Sequence, residues 1–191
     1  MDLDFTLHYQ GHLKANGSPK HKHEIRQEFH KQLKTLWSQP PLVHGKKDLL
    51  QPAKPEDDDH LGVVRSTGPF NFAPLVSTNL WLVAHLHITL LRPEPPGKIL
   101  TQAGDIDNRL KTLLDALQTP KEEGVLPSNI SPCQDEVPFF YCLLEDDNLV
   151  TGLSIRTDRL LYPSAKPTEV EMQIHVKTKT TSVSFGDISL A

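Results

Sequence analysis

Residues 80–91, LWLVAHLHITLL, constrain the fold of this chain more than any other stretch. Leu80, Leu82, Ala84, Leu86, Ile88 and Leu90 alternate with Trp81, Val83, His85, His87 and Thr89, a period of two that predicts a strand. Both sets are largely apolar, which puts the strand inside a sheet rather than at its edge. Such a strand needs a cover. The next periodic segment supplies one, because Leu110, Leu113, Leu114 and Leu117 recur at i, i+3, i+4 and i+7 and predict a helix from Asp107 onward. Asp107, Lys111 and Asp115 follow at i, i+4 and i+8 as a polar stripe beside the apolar one. Asp105 is two positions earlier, about 200° round a helix, so it is expected outside the helix. From there its carboxylate can converge with that of Asp107 at the helix N-terminus.

The remaining segments extend the same pattern. Leu3, Phe5, Leu7 and Tyr9 alternate with polar residues as an opening strand, and Ile25, Phe29, Leu33, Leu36 and Trp37 mark one face of a helix ended by Pro40 and Pro41. Residues 139–144 read as a short apolar strand, Leu149, Leu153 and Ile155 as another, and Val170, Met172, Ile174 and Val176 as the last. Residues 39–78 hold six prolines and little periodicity, so they are expected as a loop-rich insertion. The acidic run Glu56-Asp57-Asp58-Asp59 within it reads as a solvated loop. The prediction is a single α/β (α+β) domain over 1–191, a mixed sheet of about four to six strands packed with helices.

Composition narrows the function classes. At 191 residues with 37% hydrophobic content the chain fills one well-buried core. A net charge of -4 runs against general nucleic-acid binding, but local charge governs docking. Lys14, Lys20, Lys22, Arg26, Lys31 and Lys34 face only Glu24 and Glu28, making this the most basic region. Lys14, Lys20, Lys22 and Arg26 are its candidates for phosphate contacts, although an ordinary solvated helix face explains the same charges. Cys133 and Cys142 lack CxxC spacing, so neither zinc nor a disulfide framework is indicated, and a reducing cytoplasm is expected. No apolar run reaches the length of a membrane span. Walker A, G-x-G-x-x-G and nucleophile-elbow motifs are absent, so no nucleotide cofactor is expected. An EF-hand fails because Leu110 and Ala116 stand where its loop needs Gly and Glu. His21 with His23 lacks a third ligand nearby, and His85 with His87, which share one side of the sheet and could approach the carboxylates, read as hydrogen-bonded histidines under a helix.

Residue types alone leave two readings of the Asp105–Asp107 region open. Two hard oxygen donors, with a third from Glu145-Asp146-Asp147-Asn148, suit Mg2+ or Mn2+ and phosphodiester hydrolysis. Alternatively the aspartates cap a helix, and Lys111 with Asp115 makes a surface pair worth about 0.3–0.5 kcal/mol. Taken together, Asp105-Ile-Asp107-Asn108-x-x-Lys111, then Leu114-Asp115-Ala116-Leu117, then Asp146-Asp147 before a strand, resemble the RusA family of Holliday-junction resolvases. The resemblance covers mainly residues 80–160. It implies a metal-dependent, structure-selective DNA endonuclease resolving four-way junctions, with Asp105, Asp107 and Asp147 as carboxylates for Mg2+ (or Mn2+). It further implies Lys111 at the scissile phosphate, Asn108 and Asp146 in support, branched DNA as substrate, and a homodimer. A catalytically silent DNA-binding relative, or a protein-interaction module on the same fold, is the alternative.

Overall fold

The computed structural model describes residues 2–54, 61–93, 105–161 and 168–181, with the Asp105 side chain outside that description. The acidic run 56–59 and the segment 94–104 before the D-I-D-N helix also lie outside it. The fold is mixed α+β, as the periodicities predict. Ten elements carry it: β1 (Asp4–His12), α1 (Pro19–Trp37), α2 (Leu42–Leu49), β2 (Arg65–Thr67), β3 (Phe70–Val76), β4 (Leu82–Arg92), α3 (Asp105–Leu117), β5 (Phe140–Leu144), β6 (Val150–Arg159) and β7 (Glu169–Thr180).

The strands form two sheets, one in the order β1-β7-β4-β6 and one in the order β2-β3-β5. β4 is interior as expected, antiparallel to β7 and parallel to β6. Only one of its faces is sealed. Leu82, Ala84, Leu86, Ile88 and Leu90 are buried with Leu7, Tyr9, Val170, Met172, Ile174 and Val176, whereas His85, His87 and Thr89 lie on the more open face. α1 buries Ile25, Phe29, Leu33 and Trp37, and α3 buries Leu113, Ala116 and Leu117 into the same core. Fully burying one such aliphatic or aromatic side chain contributes about 1.5–3 kcal/mol. Ser18 starts α1 by accepting from the His21 N–H at 3.3 Å, with Pro19 in the first turn.

Three expectations change, the first being that the single sheet of about four to six strands is two sheets, of four strands and of three. Residues 39–78 are not merely loop: they contain α2, β2 and β3, and every β3 residue but Asn71 is buried. Pro74 argues against an interior strand because it lacks an N–H. β2, however, pairs only with Phe70, Asn71 and Phe72, so at Pro74 the strand has a single neighbour, β5. The third change is at Asp105, which is the first residue of α3 rather than an extended residue before it.

Candidate functional site

α3 presents the polar stripe that its sequence encodes. Asp107 and Lys111 are exposed, Asn108 is half-buried, and Asp115 is half-buried two turns beyond Asp107. Eight helical residues are about 12 Å of axial rise, so Asp107 and Asp115 mark two separate ends of one edge. Arg109 and Thr112, on the adjoining face, are internal: Arg109 Nη1 donates to the Leu13 carbonyl at 2.9 Å, and Thr112 Oγ1 accepts from the Gly17 N–H at 2.9 Å. These bonds hold the basic loop before α1 against α3. A β-carbon at Gly17 would lie 2.7 Å from Thr112 Cγ2, so the approach requires glycine.

The C-terminal end of α3 is where charges gather. Lys22 Nζ is 2.7 Å from Asp115 Oδ2. Arg26 donates through Nη2 to the Asp115 carbonyl at 2.7 Å and through Nε to the Gln118 carbonyl at 3.3 Å. It thereby places a cation on the open carbonyls of the last helical turn. A cavity of about 330 Å³ opens here, lined by Lys22, Arg26, Asp115, Gln118, Lys121 and Asp147 among others.

The turn after β5 enters this end of α3, not the other. Gln118 and Leu144 form a parallel bridge, the Thr119 N–H donates to the Leu144 carbonyl at 2.9 Å, and the Asp147 N–H donates to Gln118 Oε1 at 3.1 Å. Within the turn the three acids differ. Glu145 is tied to Arg65 and to the N–H and hydroxyl of Thr78, at 2.9 and 3.0 Å. Asp146 pairs with Lys121 and accepts from the Asn148 N–H at 3.0 Å, which holds its carboxyl below the usual range. Asp147 is exposed, and its carboxyl sits above the usual range, through partial burial and then through the Asp146 and Asp115 carboxylates.

These placements locate the residues of the sequence-based site, apart from Asp105, whose side chain lies outside the described residues. Gln118, which holds the Asp147 N–H, is eleven residues or about 16 Å of helix rise from Asp107, so Asp147 is anchored at the opposite end of α3 from Asp107. Among the described residues, which leave out the Asp105 side chain and with it the expected Asp105–Asp107–Asp147 set, no three His, Cys, Asp or Glu side chains form a group able to hold a metal ion. Of the four expected phosphate contacts, Lys14 and Lys20 are exposed, Lys22 is engaged by Asp115, and Arg26 is 3% exposed and internal. His85 and His87 lie on the face of the sheet that no helix covers among the described residues, where His87 Nδ1 is 2.7 Å from Ser154 Oγ. Lys121 and Gln118 went unnoticed in the sequence because neither belongs to a periodic segment. Arg26 did carry a signal, standing three residues before Phe29 and seven before Leu33 on the apolar face.

Comparison with protein-family models, with curated proteins and with solved structures finds no match to this chain. The RusA likeness thus rests on the quoted motif residues alone. Among the described residues no helix is long and apolar enough to cross a membrane.

Proposed function

We propose that this chain is a divalent-cation-dependent endonuclease acting on branched DNA, four-way junctions above all, as a cytoplasmic homodimer. One observation carries the reading. The D-I-D-N-x-x-K segment folds as a helix whose Asp107 and Lys111 are exposed on one edge, and that edge leads toward Asp147, the exposed acid of its turn. Lys111 offsets charge that builds on a phosphate in the transition state, and Lys14 and Lys20 neutralise neighbouring backbone phosphates. A Mg2+ or Mn2+ ion would supply Lewis acidity and an activated water, and Asp107 in the first turn of α3 would offer it a carboxylate. The unpaired cysteines, Cys133 and Cys142, agree with a reducing compartment.

One observation favours the second reading, a DNA-binding or protein-interaction protein without cleavage. Asp107 and Asp147 are held apart, while Lys22 and Lys121 neutralise Asp115 and Asp146. Single-turnover cleavage of a synthetic four-way junction beside linear duplex, in Mg2+, Mn2+ or EDTA, separates the two. The nuclease reading expects junction cutting that EDTA abolishes. Junction binding without cutting under every metal condition supports the silent relative, and no binding at all supports the interaction module.

A further inference from the structure

The two edges of the four-stranded sheet are treated differently. At β1 the Gln32 side chain of α1 occupies the edge, its Oε1 accepting from the His8 N–H at 2.9 Å and its Nε2 donating to the His8 carbonyl at 2.7 Å. At β6 no described element pairs with the outer edge. An open strand edge is a template for another strand.

Backbone alternation shows which β6 groups point outward. The Leu160 N–H donates to the Arg92 carbonyl of β4, so the backbone groups of Leu160, Asp158, Arg156 and Ser154 face β4. Those of Arg159, Thr157, Ile155 and Leu153 face out. Antiparallel self-pairing must match outward groups with outward groups, and charge separates the registers centred on Arg156, Thr157 and Asp158. Centring on Arg156 sets it against its own copy, and centring on Asp158 does the same for that carboxylate. Centring on Thr157 instead sets each Arg156 across from the Asp158 of the second copy, in positions without backbone hydrogen bonds where side chains approach most closely. The same register sets Leu153, 43% exposed, against Leu161, 80% exposed. Arg156 and Asp158 are both mostly exposed and lie 3.9 Å apart within one chain, Nη2 to Oδ2, while Asp158 Oδ1 accepts from the N–H of the next residue, Arg159, at 2.7 Å; a partner strand would exchange both contacts for ones across the axis.

We propose that two copies of this chain join antiparallel through β6 about a two-fold axis at Thr157, merging their four-stranded sheets into one of eight strands. A dimer belongs to the function proposed above, but this edge is argued from strand geometry and charge, and its test reads mass rather than cleavage. A chain that stays monomeric would remove the homodimer from that reading and leave its cleavage test untouched, whereas a junction left uncut would leave this edge untouched.

Sedimentation equilibrium on the full chain, over micromolar to near-millimolar concentrations, measures the association. The wild type should dimerise. R156D and D158R should each weaken the dimer at least tenfold, since each replaces two attractive pairs by two repulsive ones, and R156D/D158R together should restore it. Thr157→Pro, which removes an outward N–H that edge strands can lose, should abolish it with little change in Tm. A wild type that stays monomeric throughout overturns the proposal. So do single reversals that leave the dimer intact, and so does a charge swap that fails to rescue it.

Discussion

Burial decides which single groups of this molecule can react. Cys142 on β5 is buried, and its thiol is pushed up to about 12 by that burial, with Arg26 and a hydrogen bond to Thr119 pulling the other way. Cys133 is exposed. A thiolate is the reactive species, so a maleimide should modify Cys133 in the folded protein and reach Cys142 only in denaturant, as peptide mass spectrometry will show. Modification of both at equal rates would mean that β5 opens readily. On α3 the exposed pair Asp107 and Lys111 should fail differently when altered. Asp107→Asn removes a negative charge while keeping shape, so junction cleavage should collapse with binding kept or tightened. Lys111→Ala should lower single-turnover cleavage by about 10²–10³-fold, the usual cost of losing one electrostatic stabiliser, with little change in Mg2+ affinity. Normal cleavage by Asp107→Asn would leave that carboxylate as a first-turn partner of the helix dipole and nothing more.

Between elements, Arg26 is the brace joining α1 to the end of α3. Arg26→Met keeps much of the volume but leaves the Asp115 and Gln118 carbonyls without their donor, a loss of about 1–3 kcal/mol for a buried acceptor. Thermal or urea unfolding should register that loss. Lys14→Ala and Lys20→Ala, both at exposed positions, should leave stability unchanged and reduce the salt slope of junction binding. If Arg26→Met alters the salt slope and not the stability, the brace is wrong. This contrast shows what the sequence could reveal. β4 and α3 were legible because each repeats its apolar period several times, and their bounds lie close to those expected. β3 was hidden by Pro74, whose compatibility depends on how far β2 extends, and a single strand cannot encode its neighbour's length. The position of Asp147 was hidden for a related reason. It is set by the bridge from Gln118 to Leu144 and by the parallel pairing of β3 with β5, contacts between distant segments that leave no local periodicity. The motif residues could be recognised in sequence, but their mutual distances depended on which end of α3 the β5 turn approached.

For the molecule as a whole, α1 carries a row of buried histidines that ties stability to pH. His21, His23 and His30 all sit below their ordinary range, each chiefly through burial. His30 is held neutral between two partners, Nδ1 accepting from the Tyr141 N–H at 2.9 Å and Nε2 lying 3.2 Å from the Asp135 carbonyl. His23 is lowered furthest, to about 4. Its ring lies 5.4 Å from Phe70 and 5.6 Å from Phe140, and neither ring nitrogen has a hydrogen-bond partner among the described residues. A folded-state value below the unfolded 6.5 means that the unfolded chain binds the proton first as pH falls. The stabilisation is therefore complete above about pH 6.5 and is lost progressively down to about pH 4, where the folded ring also titrates. For His23 alone the full loss is about 3 kcal/mol at 1.36 kcal/mol per unit. Asp135 and Asp146, whose carboxyls are lowered, contribute in the same sense only near and below the ordinary carboxylate range. His23→Phe removes the titrating ring and two unpartnered nitrogens from a cluster that is already aromatic. Urea unfolding measured every half unit from pH 7.5 to 4 should show the variant at least as stable as wild type at neutral pH and clearly less acid-sensitive. Parallel pH curves for the two proteins would show that His23 is protonated alike in the folded and unfolded chain, and the acid-lability would then belong to His21 and His30.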